Sequence, residues 1–280
     1  MANKCLKQIL DRALDIRKED TFRQDIYYLA RKVFSLSQVD LILKENQVFD
    51  DTIFNSYLER YLNDEPLYYI LNEAPFMSFM FYVNRNVLIP RNETEEMVVR
   101  VNEDIKKDQF KNIKVLDACC GSGCIGISID LLNQNVNVTG IDISLDALEV
   151  AKENNLKLNA KVNFYQSDCL DQVIKRKEKY HYIVSNPPYI DRNTIIEKSV
   201  YDFEPHLALF ADNKGMAIIE KIISQLDQVL LIEGKAYIEI SPEQKDELEK
   251  LLNNHYSNYQ YEFKKDINNL IRFLFLKRIK

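Results

Sequence analysis

Val115-Leu116-Asp117-Ala118-Cys119-Cys120-Gly121-Ser122-Gly123-Cys124-Ile125-Gly126 is the stretch that decides the fold. A short apolar run enters a loop in which Gly121, Gly123 and Gly126 fit G-x-G-x-x-G, and an apolar helical segment follows. Glycine at these places lets the chain turn sharply and brings backbone N–H groups against a ligand at a helix N-terminus. The next apolar run, Val136–Ile141, ends in Gly140-Ile141-Asp142 and puts a carboxylate 21 residues after Gly121. An acid there can take both hydroxyls of a ribose. Strand before, helix after and acid at the next strand end predict a nucleoside-type ligand; NAD and S-adenosylmethionine both fit these residues.

Outward from the loop, short runs rich in β-branched and aromatic residues recur at Ile113–Leu116, Val136–Ile141, Val162–Tyr165, Tyr182–Val184 and Ala236–Ile240. Longer amphipathic stretches such as Ser144–Leu158 and Gly215–Leu231 separate most of them. The alternation predicts an α/β, Rossmann-like domain with a mostly parallel sheet covered on both faces. Tyr259–Phe263 and Ile271–Leu276 lie too close for a crossover helix and read as a closing antiparallel hairpin.

Upstream, residues 1–72 carry apolar stripes at helical spacing (Leu6, Ile9, Leu10, Ala13, Leu14; Phe22, Ile26, Leu29, Ala30, Val33; Ile53, Phe54, Tyr57, Leu58, Tyr61, Leu62) and read as a small helical bundle. Over 73–90 the period shifts to two. Phe79, Phe81 and Val83 alternate with Met80 and Tyr82, and Asn84-Arg85-Asn86 offers turn chemistry before Val87-Leu88-Ile89. This segment reads as a β-hairpin joining the bundle to a catalytic domain at 91–280, with Glu93-Thr94-Glu95-Glu96 opening a helix after Pro90.

Asp117 tilts the choice of ligand. A carboxylate just before the loop would repel a diphosphate but attract the ammonium and sulfonium charges of S-adenosylmethionine. Asp168, after Tyr165-Gln166-Ser167, is placed to accept a hydrogen bond from an adenine amino group. With Asp142, three acids around one pocket suit a cationic ligand.

Tyr182-Ile183-Val184 delivers Ser185-Asn186-Pro187-Pro188-Tyr189 at the same sheet edge, where ligands bind in open α/β folds. Two prolines also simply stop a strand. The chemistry favours a role. An amide or arylamine nitrogen is a poor nucleophile because its lone pair is delocalised. The side-chain oxygen of Asn186 and the carbonyl of Pro187 can each accept one N–H of such a group and concentrate electron density on nitrogen. Pro187 and Pro188 stiffen the carbonyl's direction, and Tyr189 is expected to stack on the planar target. Positioning of this kind is worth roughly 7–11 kcal/mol.

The 280 residues are 46% hydrophobic and 29% charged, with a formal net charge of −6. That acidity argues against a surface built to grip phosphates. Met1-Ala2-Asn3-Lys4-Cys5-Leu6 opens no long apolar run, and Leu270–Leu276 is too short to span a bilayer, so neither signal peptide nor membrane anchor is expected. Five cysteines without a C-x-x-C pair and three scattered histidines predict reduced thiols, no metal site and a cytoplasmic protein.

Taken together, these motifs resemble the peptide chain release factor glutamine N5-methyltransferases, the PrmC or HemK family. The likeness runs over nearly the whole chain, through Glu65-Pro66-Leu67-Tyr68-Tyr69-Ile70, Leu88-Ile89-Pro90-Arg91-Asn92-Glu93-Thr94-Glu95, Asp117–Gly126, Gly140–Ser144, Asn186–Ile190, Phe203-Glu204-Pro205-His206-Leu207-Ala208-Leu209 and Gly215-Met216. The resemblance implies a seven-stranded methyltransferase sheet and a helical N-terminal domain that helps hold the protein substrate. That substrate is the glutamine of the Gly-Gly-Gln loop in bacterial class-I release factors, with the enzyme a monomer that meets no nucleic acid directly. It implies S-adenosylmethionine bound by Arg91, Thr94, Asp117, Cys119, Cys120, Gly121, Ser122, Gly123, Asp142, Asp168, Cys169 and Asn186, with Glu204 joining Asn186, Pro187, Pro188 and Tyr189 at the substrate. Departures stand at Cys119 and Asn72, where the family usually has glycine, at Asn92 (proline) and at Phe203 (tyrosine). If the backbone at Cys119 needs φ above zero, the cost is of order 1–2 kcal/mol. The alternatives are an adenine-N6 nucleic-acid methyltransferase, which shares Asn-Pro-Pro-Tyr but needs a basic groove, and an idle binding module on the same fold.

Overall fold

Val115, Leu116, Asp117 and Ala118 are all buried, as expected of a strand covered on both faces. The computed structural model describes residues 4–108, 110 and 112–280; the expectation resting on Met1-Ala2-Asn3 lies outside them. The strand leading into the glycine loop, β1 (Ile113–Ala118), sits inside a seven-stranded sheet with β2 (Val136–Asp142), β3 (Asn163–Gln166), β4 (Tyr180–Ser185), β5 (Leu230–Glu239), β6 (Tyr259–Lys265) and β7 (Ile271–Arg278). Their spatial order is β6-β7-β5-β4-β1-β2-β3. Strands β1 to β5 run parallel, and β7 is antiparallel to both neighbours, forming the closing hairpin.

Register is what builds the site. Ala118 lies opposite Ile141 on one side and Ser185 on the other, and Ser185 lies opposite Ile238. One residue beyond that row, Cys119, Asp142, Asn186 and Glu239 therefore leave the same edge side by side. Side chains alternate between the two faces. Val115, Val184 and Tyr237 pack with helices α1 (Asn92–Lys107) and α2 (Cys124–Leu132), while Leu116, Ile183 and Ile238 pack with α4 (Ala217–Gln225) and α5 (Lys245–His255). Between them in the chain, α3 (Leu145–Lys157) is capped by Ser144, whose side chain accepts from the Ala147 amide.

The chain divides into two units. Residues up to Asn72 together with Glu197–Phe203 form one, and Glu73–Ile196 with Glu204–Lys280 form the other. In the first, helices Leu6–Leu14, Asp20–Val33 and Thr52–Leu62 bury Leu6, Ile9, Ile26, Leu29 and Phe54 in a common core. Lys4-Cys5 also pairs antiparallel with Val48-Phe49, a ladder too short to show as alternation in sequence. Helix Leu67–Leu71 ends at Asn72 with φ +53°, a left-handed cap that asparagine tolerates nearly as well as the family's glycine.

Two expectations shift. Phe79–Tyr82 pairs with Glu73–Phe76 through a turn at Met77-Ser78, not with Val87-Leu88-Ile89. Pro75 hid the upstream strand: it has no N–H to give, yet a two-stranded ribbon has open edges on which that is harmless. Asn84 does make its turn, accepting from the Val87 amide through its carbonyl, but Ile89 then donates its N–H to Glu204 instead of a ladder. The helical stretch read to Leu231 stops at Gln225, with a short 3-10 turn before β5.

Candidate active site

A cavity opens at the edge where β1, β2 and β4 end, lined among others by Cys120, Gly121, Asp142, Asp168, Asn186 and Pro188. Its first wall is the glycine loop. Cys119, Gly121 and Gly123 all adopt positive φ, at +59°, +51° and +78°. The two glycines serve different ends. A Cβ on Gly121 would meet nothing within 4 Å, whereas one on Gly123 would come within 3.1 Å of Ile127 and Phe164. Gly121 thus offers bare backbone to free space beside the cavity, and Gly123, which does not line it, lets the loop close on the domain core.

The Gly121 amide donates to one oxygen of Asp142 and the Ser144 amide to the other, each at 2.9 Å. Burial raises the Asp142 carboxyl and these amides oppose the shift. Its remaining lone pairs can accept two hydroxyl protons, as the ribose of S-adenosylmethionine requires. Bare loop backbone and a fixed carboxylate fit that nucleoside.

Asp117 departs from expectation. It is fully buried and does not line the cavity. Its Oδ2 accepts from the Gly126 amide at 2.8 Å, satisfying a first-turn N–H of α2, and its Oδ1 has no partner among the described residues. Burial pushes its carboxyl up to about 8, so near neutral pH it is mostly uncharged and is no counter-ion for a sulfonium. Asp168 does line the cavity, with Lys221 Nζ 2.8 Å away.

Ser122, Cys119, Cys124 and Cys169 complete this wall. The Ser122 carbonyl accepts from Asn154 Nδ2 at 3.0 Å, and the Asn154 side chain also exchanges hydrogen bonds with both backbone groups of Tyr82. Asn154 therefore ties the connecting hairpin to the loop. Burial raises the thiols of Cys119, Cys120, Cys124 and Cys169, which act as neutral wall material and not as nucleophiles.

The second wall is the Asn-Pro-Pro-Tyr segment. Asn186 Nδ2 donates to Thr94 Oγ1 at 3.0 Å, and the Thr94 hydroxyl donates to Glu239 Oε2 at 2.7 Å. Tyr189 Oη donates to the other Glu239 oxygen at 3.1 Å. Asn186 and Pro188 line the cavity; Pro187 and Tyr189 do not. The Tyr189 hydroxyl is turned to the buried carboxylate of Glu239, which demands donors. Glu204 was expected at the substrate. It is buried instead and accepts from Arg91 Nη2 at 2.6 Å and from the Ile89 amide at 3.3 Å, which holds Arg91 at the cavity rim.

Glu239, Asn154 and Lys221 escaped the sequence reading. For Glu239 a signal existed: a carboxylate inside Tyr237-Ile238-Glu239-Ile240 interrupts an apolar strand, and a buried charge is costly unless it is used. Asn154 and Lys221 sit on helices where polar residues are ordinary.

Comparison with known proteins agrees with this geometry. Residues 101–203 match the Methyltransferase small domain family. Among solved structures, a methyltransferase from Pyrococcus furiosus superimposes with TM-score 0.52 at 14% identity, covering 81% of this chain and 100% of that one. The 16S rRNA N2 methyltransferase of T. thermophilus, solved with AdoMet and guanosine, gives TM-score 0.53 at 16% identity over 74% of this chain and 49% of that one. These likenesses show the fold. The release factor glutamine methyltransferase of Mycoplasma mycoides is 38% identical over 266 residues, 91% of this chain and 92% of that protein. Its namesake in Staphylococcus aureus is 33% identical over 97% of this chain and 98% of its own length. The one in Leptospira interrogans is 40% identical over 79% of each. Identity of this depth along nearly the full length of both partners reflects common descent, and the chain belongs to the release factor glutamine methyltransferase family.

Proposed function

We propose that this protein transfers a methyl group from S-adenosylmethionine to the side-chain amide nitrogen, N5, of the glutamine in the Gly-Gly-Gln loop of bacterial class-I release factors. The observation that carries the reading is the orientation of Asn186. Its Nδ2 is committed to Thr94, so its oxygen is the atom left for the acceptor. Asn186 Oδ1 and the carbonyl of Pro187, which lies between the lining residues Asn186 and Pro188, accept the two N–H bonds of the glutamine amide, draw density onto its nitrogen and direct its lone pair toward the methyl group to be transferred. No side chain need remove a proton first: the N–CH3 bond would form as the S–CH3 bond breaks, the thioether S-adenosylhomocysteine would leave, and the alkylated, now acidic nitrogen would give its proton to water. S-adenosylmethionine supplies the activated methyl group. Asp142, the Gly121 region and Asp168 hold the cofactor, with Arg91, Ser122, Cys119, Cys120 and Cys169 completing its surroundings.

The helical unit serves release-factor recognition in this reading. Val39, Ile42, Leu43 and Val48 are exposed along it, a run of apolar side chains suited to protein contact. Among the described residues no helix is long and apolar enough to cross a membrane. The protein acts as a monomer in the compartment of translation. The test offers labelled S-adenosylmethionine with release factor, with its Gln→Ala loop variant and with adenine-containing DNA. Label on intact release factor alone is expected; label on DNA, or equal label on the loop variant, would sink the reading.

A further inference from the structure

The buried carboxylate of Glu239 touches both ends of the Asn-Pro-Pro-Tyr segment: Tyr189 directly and Asn186 through Thr94. Glu239 and Thr94 are 1% and 2% exposed, so water does not compete for these bonds. An ionised carboxylate only accepts hydrogen bonds, and a threonine hydroxyl has a single proton. With that proton given to Glu239, Thr94 turns a lone pair toward Asn186. Only the NH₂ end of an amide can meet a lone pair, so the oxygen end is forced the other way.

Resting on the function proposed above, we infer that Glu239 is a positioning residue that dictates, through the direction of this hydrogen-bond chain, which end of the Asn186 amide faces the acceptor nitrogen. A flipped Asn186 would present N–H to N–H and repel the substrate amide. The chain also polarises: a carboxylate behind Thr94 makes its oxygen a better acceptor, and Asn186 Oδ1 in turn becomes more basic.

Protonation reverses the logic. A neutral Glu239 can donate to Thr94, whose own proton is then free for Asn186 Oδ1, and the amide is released to flip. The charged and titratable groups facing Glu239 are Glu93 from α1, Tyr189 after β4 and Arg272 from β7, the last also paired with Asp266 at 3.2 Å. Burial pushes the Glu239 carboxyl up to about 7, with Arg272 opposing and Glu93 adding to the shift. Methyl transfer therefore falls as pH drops below neutrality.

The test measures kcat on release factor and Kd for S-adenosylmethionine on both sides of neutral pH in wild type, Glu239→Gln, Thr94→Val and Thr94→Ser. In parallel, the side-chain amide resonance of Asn186, assigned by its loss in Asn186→Ala, is followed for hydrogen-exchange protection. Expected are a fall in kcat of about tenfold in Glu239→Gln and Thr94→Val, a cofactor Kd within about twofold in Glu239→Gln, rescue by Thr94→Ser, and loss of the acidic limb in Glu239→Gln. Amide protection is expected in wild type and Thr94→Ser only. Retained kcat with a still-protected amide overturns the inference, as does a parallel collapse of cofactor binding and thermal stability, which marks a merely structural role. Wild type that binds cofactor but methylates no release factor would defeat the functional reading, while amide protection still decides the role of Glu239.

Discussion

The two walls of the cavity are built differently. On the cofactor wall, backbone amides of Gly121 and Ser144 hold the acid Asp142, and beneath it the Gly126 amide holds the buried Asp117; each of these bonds spans at most 21 residues. On the acceptor wall, side chains hold side chains across 50 residues from Tyr189 to Glu239, 92 from Thr94 to Asn186 and 145 from Thr94 to Glu239. A wall held by backbone amides is sensitive to the one acid they hold and to a Cβ at positive φ, and less so to its other side chains. A wall built of a side-chain relay is sensitive to any one polar group, because each bond fixes the direction of the next.

The largest effect expected is on the acceptor wall. Asn186→Ala should lower kcat by about a hundred- to a thousandfold, with a smaller effect on cofactor Kd, measured by initial rates and calorimetry. Asp142→Ala should do the reverse, raising Kd for S-adenosylmethionine by about tenfold to a hundredfold while saturated kcat stays within a few-fold of wild type. If both variants fail in the same parameter, the division into two walls is wrong.

Asp117→Asn sharpens the contrast through pH. Asp117 keeps its proton in the fold up to about pH 8, against a value near 4 when unfolded. Its contribution to stability is therefore fully present below about pH 4 and is lost as pH rises through about 8. Glu239 acts in the same direction, through about 7. The asparagine variant should show a flatter fall in unfolding midpoint between acid and mildly alkaline pH, where ~1 kcal/mol corresponds to roughly 2–4 °C. An unchanged slope would mean that Asp117 stays ionised after all.

Smallest is Cys119→Gly. Cysteine at φ +59° carries strain of about 1–2 kcal/mol, which glycine relieves while giving back about 0.5–1 kcal/mol of chain entropy. A net gain of about 1 kcal/mol or less is expected from chemical denaturation. Asn72→Gly should give still less, since asparagine already tolerates φ +53°. A marked loss of stability on Cys119→Gly would show that the cysteine side chain, and not the backbone beneath it, holds the loop.

How far the sequence reached follows the same division. The strands that end at Ala118, Asp142 and Ser185 are legible to within a residue or two at these ends, because apolar runs, glycines and prolines are local signals. That Asp142 and Asn186 come to one cavity is legible because each follows a strand end, beside a glycine loop and a proline pair. Asp117 was read as a charge facing the ligand, since nothing in Val115-Leu116-Asp117-Ala118 tells which way an acid points or how little water reaches it. The hairpin slipped because Pro75 conceals a strand that only pairing reveals.

The sequence by itself determined the parallel sheet and the places of the glycine loop and the Asn-Pro-Pro-Tyr segment at its edge, because periodicity and motif spacing are properties of neighbouring residues. Only the tertiary structure decided that Glu239 lies level with Asn186, that Glu204 serves Arg91 and that Asp117 is buried under its loop, where burial raises its carboxyl. Those facts depend on strand register and burial, which set distances and dielectric between residues that the chain itself keeps far apart.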